Sequence, residues 1–281
     1  MSGACAGIVA LVTGASRGIG AAIARRLAAE GAAVAAVARS LDSSPDGVPG
    51  TLRETVAQIE ADGGRAVAIQ GDILDHASRE RFMAEARAAL GPIDILVNNA
   101  TFGPYRPLAK FDQRTIARTL ESSVGAPLHL VQLALADMRA ARRGWILNIS
   151  SATAKHPQGP PYIPWESVGG SHLYASGKAA LDRLTTGLAA ELHSEGIAVN
   201  ALAPVAAVIT EGVRASGAEP FIEPSMIEPV EAMAEAALAL VTGDPEKLTG
   251  RVAYSLRLLE ELGWEVRTLD GRRAFEDGAR S

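Results

Sequence analysis

Thr13-Gly14-Ala15-Ser16-Arg17-Gly18-Ile19-Gly20 is the stretch on which the reading of this chain turns. It follows the apolar run Ile8-Val9-Ala10-Leu11-Val12 and opens an alanine-rich helical pattern from Ala21 to Glu30. A strand, a glycine turn and a helix N-terminus together make an anion site, because unpaired backbone N–H groups and the positive end of the helix dipole face the turn. Glycine is needed where the chain bends sharply and where a pyrophosphate must approach without a Cβ in its way. The spacing Gly14-x3-Gly18-x-Gly20 is one residue wider than the G-x-G-x-x-G dinucleotide fingerprint.

Outside this stretch the composition narrows the classes. The chain has 281 residues, 48% of them hydrophobic, enough to bury a sizeable core. Its net charge is −5, with lysine and arginine dispersed, so the basic patch of a nucleic-acid surface is missing. The single cysteine, Cys5, excludes an intrachain disulfide and suits a reducing compartment. No apolar run reaches the roughly 18 residues of a membrane span, and no basic region precedes the first apolar stretch as in a secretory signal. The expectation is a cytoplasmic protein with no metal, no nucleic acid and no membrane partner.

Apolar runs of strand type alternate with helical patterns from end to end. Strands are expected at Ile8–Thr13, Ala32–Ala38, Ala66–Gly71, Ile93–Val97, Trp145–Ser150, Ala198–Ala203 and Arg251–Ser255. Helices are expected at Gly18–Glu30, Thr51–Asp62, Ala77–Leu90, Asp112–Arg142, Leu173–Glu195 and Val230–Val241. Strands without polar alternation, each followed by a helix, indicate a parallel sheet covered on both faces. The fold expected is α/β: a single doubly wound Rossmann-type domain, residues 1–281, with a parallel seven-stranded sheet. Two long irregular segments follow strands at their carboxyl ends, where such sheets bind ligands. One is a proline-rich insertion at about 152–172 containing Tyr162 and Trp165; the other is a lid at about 205–228.

Further motifs follow in order: Gly71-Asp72-Ile73, Asn98-Asn99-Ala100, Asn148-Ile149-Ser150-Ser151, Tyr174-Ala175-Ser176-Gly177-Lys178 and Val199-Asn200-Ala201-Leu202-Ala203-Pro204. In this order, behind the glycine turn, they closely resemble the short-chain dehydrogenase/reductase family over roughly residues 7 to 254. The resemblance implies an oxidoreductase that interconverts a ketone or aldehyde and an alcohol with a nicotinamide cofactor. It implies Tyr174 as general acid or base, Lys178 as its partner and a hold on the nicotinamide ribose, and Ser151 as the donor to the substrate oxygen. Ser150 competes for that last role, since adjacent residues at a strand end point opposite ways. Gly14, Ser16, Arg17, Gly18, Ile19 and Gly20 would cradle the cofactor, with Asp72 and Ile73 near the adenine. Asn98 and Ala100 would lie at the adenosine ribose, and Pro204 and Thr210 near the nicotinamide.

The spacing of the tyrosine and lysine suits the chemistry. Residues four apart share a helix face. A phenol, with its ordinary pKa near 10, is a poor base at neutral pH. An ammonium about 4 Å away would stabilise the phenolate by roughly 4 kcal/mol at an effective dielectric of about 20. That would bring Tyr174 about three pKa units closer to neutrality before desolvation is counted.

The chain departs from the family pattern in four places. Ser122 stands where members commonly carry an asparagine on a water-linked proton path, leaving a shorter side chain with one hydroxyl. The stretch from Ser151 to Tyr174 is longer than in simple members, and Tyr162 and Trp165 are expected to wall an apolar substrate pocket. Pro204 is followed by valine where members often have glycine, so that Thr210 is offset by one residue. The chain also continues past Thr249-Gly250 into a tail at about 256–281, with leucines at 256, 259 and 262 spaced for a short helix and a polar, surface-exposed or frayed end.

The second strand ends Ala36-Val37-Ala38-Arg39-Ser40, without the carboxylate that binds the two ribose hydroxyls of NAD. Arg39 and Arg17 can flank a 2′-phosphate instead, so NADP(H) is preferred. NAD(H) remains possible if Arg39 stacks on the adenine or if Asp42 folds back to the ribose. The resemblance also implies a homo-oligomer, dimer or tetramer, formed through Asp112–Arg142 and Leu173–Glu195. Two other functions stay open beside the reductase: a cofactor-binding scaffold with little turnover, and a lyase or epimerase that does not consume the cofactor.

Overall fold

In the computed structural model the described residues are 3–44, 46–162, 170–205, 207–216, 219 and 222–276. Seven parallel strands form one sheet in the order β3-β2-β1-β4-β5-β6-β7. They are β1 (Val9–Thr13), β2 (Ala33–Ala38), β3 (Arg65–Gln70), β4 (Ile95–Asn98), β5 (Gly144–Ile149), β6 (Ile197–Ala203) and β7 (Val252–Tyr254). Each lies within two residues of its expected position. β1, β4, β5 and β6 are buried along their whole length, which is why their sequences read as unbroken apolar runs. The strand order reverses between β1 and β4, and the crevice at their carboxyl ends is the ligand-binding place of such a sheet.

Alternate residues of β1 feed two cores. Ala10 and Val12 pack toward α1 (Gly18–Ala29) and α2 (Leu52–Ala61), whose Ile23, Leu27, Leu52 and Ile59 fill that face. Val9 and Leu11 pack toward α3 (His76–Leu90), with Phe82 and Met83, and toward the helices that follow β4. Phe82, fully buried, accounts for about 1.5–3 kcal/mol on its own by area. Helix starts obey local chemistry. Thr51 and Glu54 form a reciprocal capping box on α2, and Asp75 caps α3.

The helix expected at Asp112–Arg142 is present from Gln113 to Ala141, with a π bulge inside it. It divides into α4 (Gln113–Leu120), capped by Asp112, a π turn at Glu121–Gly125, and α5 (Ala126–Ala141). The extra residue in that turn buries Ser122 and Ser123. The remaining helices are α6 (His172–Leu192), α7 (Glu211–Ser216), α8 (Val230–Thr242) and α9 (Ser255–Leu262). The short α7 arises inside the segment expected to be wholly irregular.

The tail lies at the surface, one of the alternatives expected for it, and after α9 it turns back on the domain. Trp264 Nε1 donates to Glu235 Oε2 (2.8 Å), whose other oxygen accepts from the buried Arg26 (2.6 Å). Arg267 and Ala274 then form an antiparallel bridge, and Arg272 donates to Asp62 O (3.1 Å). A buried ion pair between α1 and α8 thus gives the tail an anchor as far as the described residues reach.

Candidate functional site

Unlike α2, α3 and α4, the helix after the glycine turn has no capping side chain, and like α3 and α4 it has no acid in its first turn. Its first N–H groups are left for an anion. Gly14 (φ 69°) and Gly18 (φ 54°) take backbone conformations that side chains resist. A Cβ on Gly20 would stand 2.3 Å from Gly14 O, so turn and helix can close only over glycine. Asn99 holds the turn from the next strand, its amide donating to Thr13 O (2.9 Å) and Gly14 O (3.3 Å). The backbone N–H groups of Asn99 and Ala100 donate to Thr13 Oγ1 (3.0 and 3.1 Å). Ser16 is buried in the turn, and Ile19 packs on the core beneath it.

The other residues expected at the cofactor divide between the groove and the interior. Asp72 and Ile73 form the turn before α3, where Asp72 Oδ1 accepts from Leu74 N–H (2.9 Å) and Ile73 O accepts from Arg79 (2.9 Å). Thr210 lies over the glycine turn: its methyl would be 3.0 Å from a Cβ on Gly18, and its hydroxyl accepts from Val213 N–H (3.3 Å) at the start of α7. Pro204 ends β6, next to Val205, whose N–H is taken by the buried Glu228 (3.0 Å). The side chain of Asn98 turns inward. It donates to Asn148 Oδ1 (2.9 Å), and Asn148 donates to Thr185 Oγ1 (2.9 Å). Only the parity of Asn98 and Asn99 along the strand separates the interior role from the turn-holding one.

At the carboxyl end of β5 the structure brings Ser151, rather than Ser150, to Tyr174. Ser151 lies close enough to the phenol to lower its pKa, and its Oγ meets Thr153 Oγ1 at 2.9 Å. Ser150 is buried on the other side of the strand, near Asp182. Lys178 is 3% exposed, its Nζ 5.6 Å from the centre of the Tyr174 ring and donating to Ile149 O (2.6 Å). Burial lowers its pKa to about 8, with Asp182 acting in the opposite direction. Asp182 itself is pushed up by burial. It lies four residues beyond Lys178, on the stripe Tyr174–Lys178–Asp182, a periodicity visible in the sequence and overlooked there.

Tyr174 shifts in the direction opposite to the expectation drawn from Lys178. Burial and the adjacent Tyr105 phenol raise its pKa, while the Ser151 hydroxyl lowers it. Tyr105 stands with its ring centre 5.6 Å away, and Gly103 lies so close that a Cβ would be 2.4 Å from Tyr174 Cδ2. The segment after β4 thus covers the tyrosine, and its desolvation is the largest cause of the shift. Ser122 holds that segment: its hydroxyl accepts from Phe102 N–H (3.0 Å) and lies within bonding distance of Phe102 O (2.9 Å) and Thr119 O (3.0 Å). It is engaged with backbone, not with Lys178.

Tyr162 is 55% exposed. Trp165, its expected companion, lies outside the described residues. At the other end of the groove Arg17 and Arg39 both reach Asp46, at 3.2 and 3.3 Å, while Asp42 pairs with Arg53. Asp46 was not singled out from the sequence, because no local pattern marks it. Elsewhere, His76, Glu80 and His129 bring ligand-type atoms within 4.8 Å of one another where α3 meets α5, a grouping the sequence reading also passed over. Among the described residues no helix is long and apolar enough to cross a membrane.

Comparison with known proteins places this geometry in context. The family description "short chain dehydrogenase" matches residues 8–219. A short chain dehydrogenase from Pseudocercospora fijiensis is 34% identical over 200 residues, 70% of this chain and 59% of that protein. The match therefore spans less than two thirds of that relative. The 3-oxoacyl-[acyl-carrier-protein] reductase of Escherichia coli is also 34% identical over 200 residues, 70% of this chain and 72% of the reductase. Among solved structures, a metagenomic short-chain oxidoreductase in complex with NADP is 30% identical with a TM-score of 0.71, covering 89% of this chain and 97% of that one.

Proposed function

This chain belongs to the short-chain dehydrogenase/reductase family, and from that premise we propose that it is an NADP(H)-dependent reductase of apolar ketones in which Tyr174 moves the proton. The observation that carries the reading is the convergence of Ser151, Tyr174 and the buried Lys178 at the carboxyl edge of the sheet, on the side where the uncapped α1 opens. The residues of the glycine turn fit a dinucleotide: Gly14, Gly18 and Gly20 leave backbone room, and the first turn of α1 offers free donors. A nicotinamide cofactor, when bound, supplies or accepts the hydride.

The protein's own part is proton transfer and orientation. The Ser151 hydroxyl donates to the carbonyl oxygen and fixes its position beside Tyr174. Tyr174, kept protonated by burial, then delivers its proton to the oxygen as negative charge develops there. Lys178, held by Ile149 O, places a cation near the phenolate that remains. Tyr105, its ring 5.6 Å from that of Tyr174, offers an aromatic neighbour, which supports an apolar or aromatic ketone as substrate. The finer structure of Arg17 and Arg39 supports NADP(H) over NAD(H).

The test is NADPH oxidation with a panel of aliphatic, cyclic and aryl ketones, with NADH in parallel. Turnover with NADPH that disappears in Tyr174→Phe is the expected outcome. Conversion of a substrate without net NADPH consumption would replace the reductase by a lyase or epimerase on the same fold.

A further inference from the structure

The loop between β2 and α2 folds back on itself. Leu52 N–H donates to Ser40 O (2.8 Å) and Arg53 N–H to Leu41 O (3.2 Å), so both ends of the loop are tied together. Gly50, at φ 107°, lies so close to the glycine turn that a Cβ there would stand 2.7 Å from Ser16 O. Nearer the tip, Asp46 is held from its own loop by Ser44 Oγ (2.5 Å) and Val48 N–H (3.2 Å).

From that position one carboxylate oxygen accepts from Arg17 Nη1 (3.2 Å) and the other from Arg39 Nη2 (3.3 Å). Arg17 Nη2 donates in addition to Ser44 Oγ (2.9 Å), Ser40 Oγ (3.1 Å) and Gly50 O (3.4 Å). Gln70 Nε2 fixes the backbone of Arg39 through its carbonyl (3.0 Å). Two guanidinium groups from separate elements, with serine hydroxyls between them, form the donor set of a phosphate monoester.

Resting on the NADP(H) reading, we propose that Asp46 is an internal competitor for the cofactor's 2′-phosphate, a specificity-setting residue whose carboxylate must leave Arg17 and Arg39 before the phosphate can take them. The two cannot share the site. A phosphate monoester carries about −1.5 to −2 charge at neutral pH and would face a carboxylate across the same two cations. Protonation does not remove the competitor. Burial works against its charge, but the bonds from Ser44 and Val48 and the charge of Arg17 hold the Asp46 carboxyl down to about 2. Displacement has to be movement of the loop tip. A cavity of about 380 Å³ adjoins it, with Asp46, Val48 and Pro49 on one wall and Glu211 and Arg214 on the other, and gives the tip room to move.

The experiment is calorimetric titration of the full chain with adenosine 2′,5′-bisphosphate and with AMP, for wild type, Asp46→Asn, Asp46→Ala and Arg17→Ala. With Asp46 neutralised or removed, bisphosphate affinity is expected to rise by roughly tenfold, the value of about one charge-assisted contact, while AMP affinity stays within about twofold. If AMP binding weakens and bisphosphate binding does not improve, Asp46 is a ribose-binding acid and the proposal falls. If wild type prefers the bisphosphate through Arg17 but neither Asp46 variant changes anything, Asp46 is a loop anchor and the proposal falls alone. If wild type shows no preference and Arg17→Ala is silent, the NADP(H) reading falls with it.

Discussion

The two ends of the groove hold their functional groups in contrasting ways. At the carboxyl end of β5, Lys178 is almost wholly buried, bonded to a strand carbonyl, and on the same helix face as Tyr174. At the end of β2, the Arg39 side chain is 50% exposed and the Asp46 side chain 38% exposed, and the carboxylate hangs from a loop. In the first region desolvation sets the chemistry: it raises Tyr174 and lowers Lys178. In the second, the bonds from Ser44 and Val48 and the charge of Arg17 together outweigh burial and keep the Asp46 carboxylate ionised. Mutations at the first end should therefore change chemistry and stability together, whereas those at the second should change cofactor choice with little effect on the fold.

The largest expected effect tests that division directly. Tyr174→Phe should lower kcat by about 10³-fold through loss of the proton donor and shift the thermal midpoint as well, since a buried hydroxyl is removed, with NADPH affinity nearly unchanged. A variant that keeps more than about a tenth of wild-type turnover would remove Tyr174 from the proposed proton step.

Next in size is a trade of stability for function at Lys178. Its pKa is about 8 in the fold against an ordinary 10.5. Between those values the unfolded chain holds a proton that the folded chain has released, so stability rises with pH from about 8 to about 10.5. Below 8 the whole cost of burying the ammonium is present, about 3 kcal/mol from the difference between the two values. Lys178→Met should therefore be more stable than wild type at pH 7, by up to about 3 kcal/mol less whatever Ile149 O loses as an acceptor. Its advantage should fade as pH approaches 10.5, while turnover at pH 7 drops by about 10²-fold. Urea unfolding of both proteins at pH 7, 8.5 and 10 measures it, and a flat difference across that range would show that burial of charge is not what Lys178 costs.

At the exposed end the effects shrink. Arg17 has one side-chain face against the loop and 17% exposure, and Arg39 is half exposed. Arg17→Ala should weaken NADPH binding by about tenfold and Arg39→Ala by about threefold, both less so at 0.5 M salt, with NADH binding little affected. Equal losses for NADPH and NADH would mean that the arginines hold the adenosine rather than a phosphate.

The same contrast explains what could be read from the sequence. Ser151, Tyr174 and Lys178 were picked out by the family resemblance; the four-residue spacing put Tyr174 and Lys178 on one helix face, while the strand end left Ser150 and Ser151 both open. Strands buried on both faces, such as Ala33–Ala38, betray themselves by composition alone. Asp46 was not legible: its approach to Arg17 depends on backbone bonds between Ser40 and Leu52 that close the loop, and no motif records them. Nor was the π turn at Glu121–Gly125, since one additional residue in a helix leaves the apolar pattern on either side almost intact. The docking of Trp264 on Glu235 joins elements 29 positions apart through a buried charge whose partner, Arg26, lies 209 positions from Glu235. Local patterning says nothing about such a contact.

Ser122 gives the finest discrimination, because it links the buried end to the segment that covers it. From sequence it stood in the catalytic set, as a shortened asparagine on a proton path. In the fold its hydroxyl takes the Phe102 N–H, one residue before Gly103, which touches the Tyr174 ring, and three before Tyr105, which flanks it. Under the proposed function, Ser122 then acts as a positioning residue through Tyr174's cover. Ser122→Ala would leave the Phe102 N–H without its partner, a loss of about 1–2 kcal/mol in stability. The cover would loosen, Tyr174 would be better hydrated, and the pH at which the tyrosine titrates in kcat/KM should fall toward the ordinary phenol value. Turnover at neutral pH should drop only about threefold, with the KM for NADPH unchanged. A proton-path role makes the opposite forecast: a large loss of kcat in Ser122→Ala, a gain in Ser122→Asn, and no movement of the tyrosine titration in either.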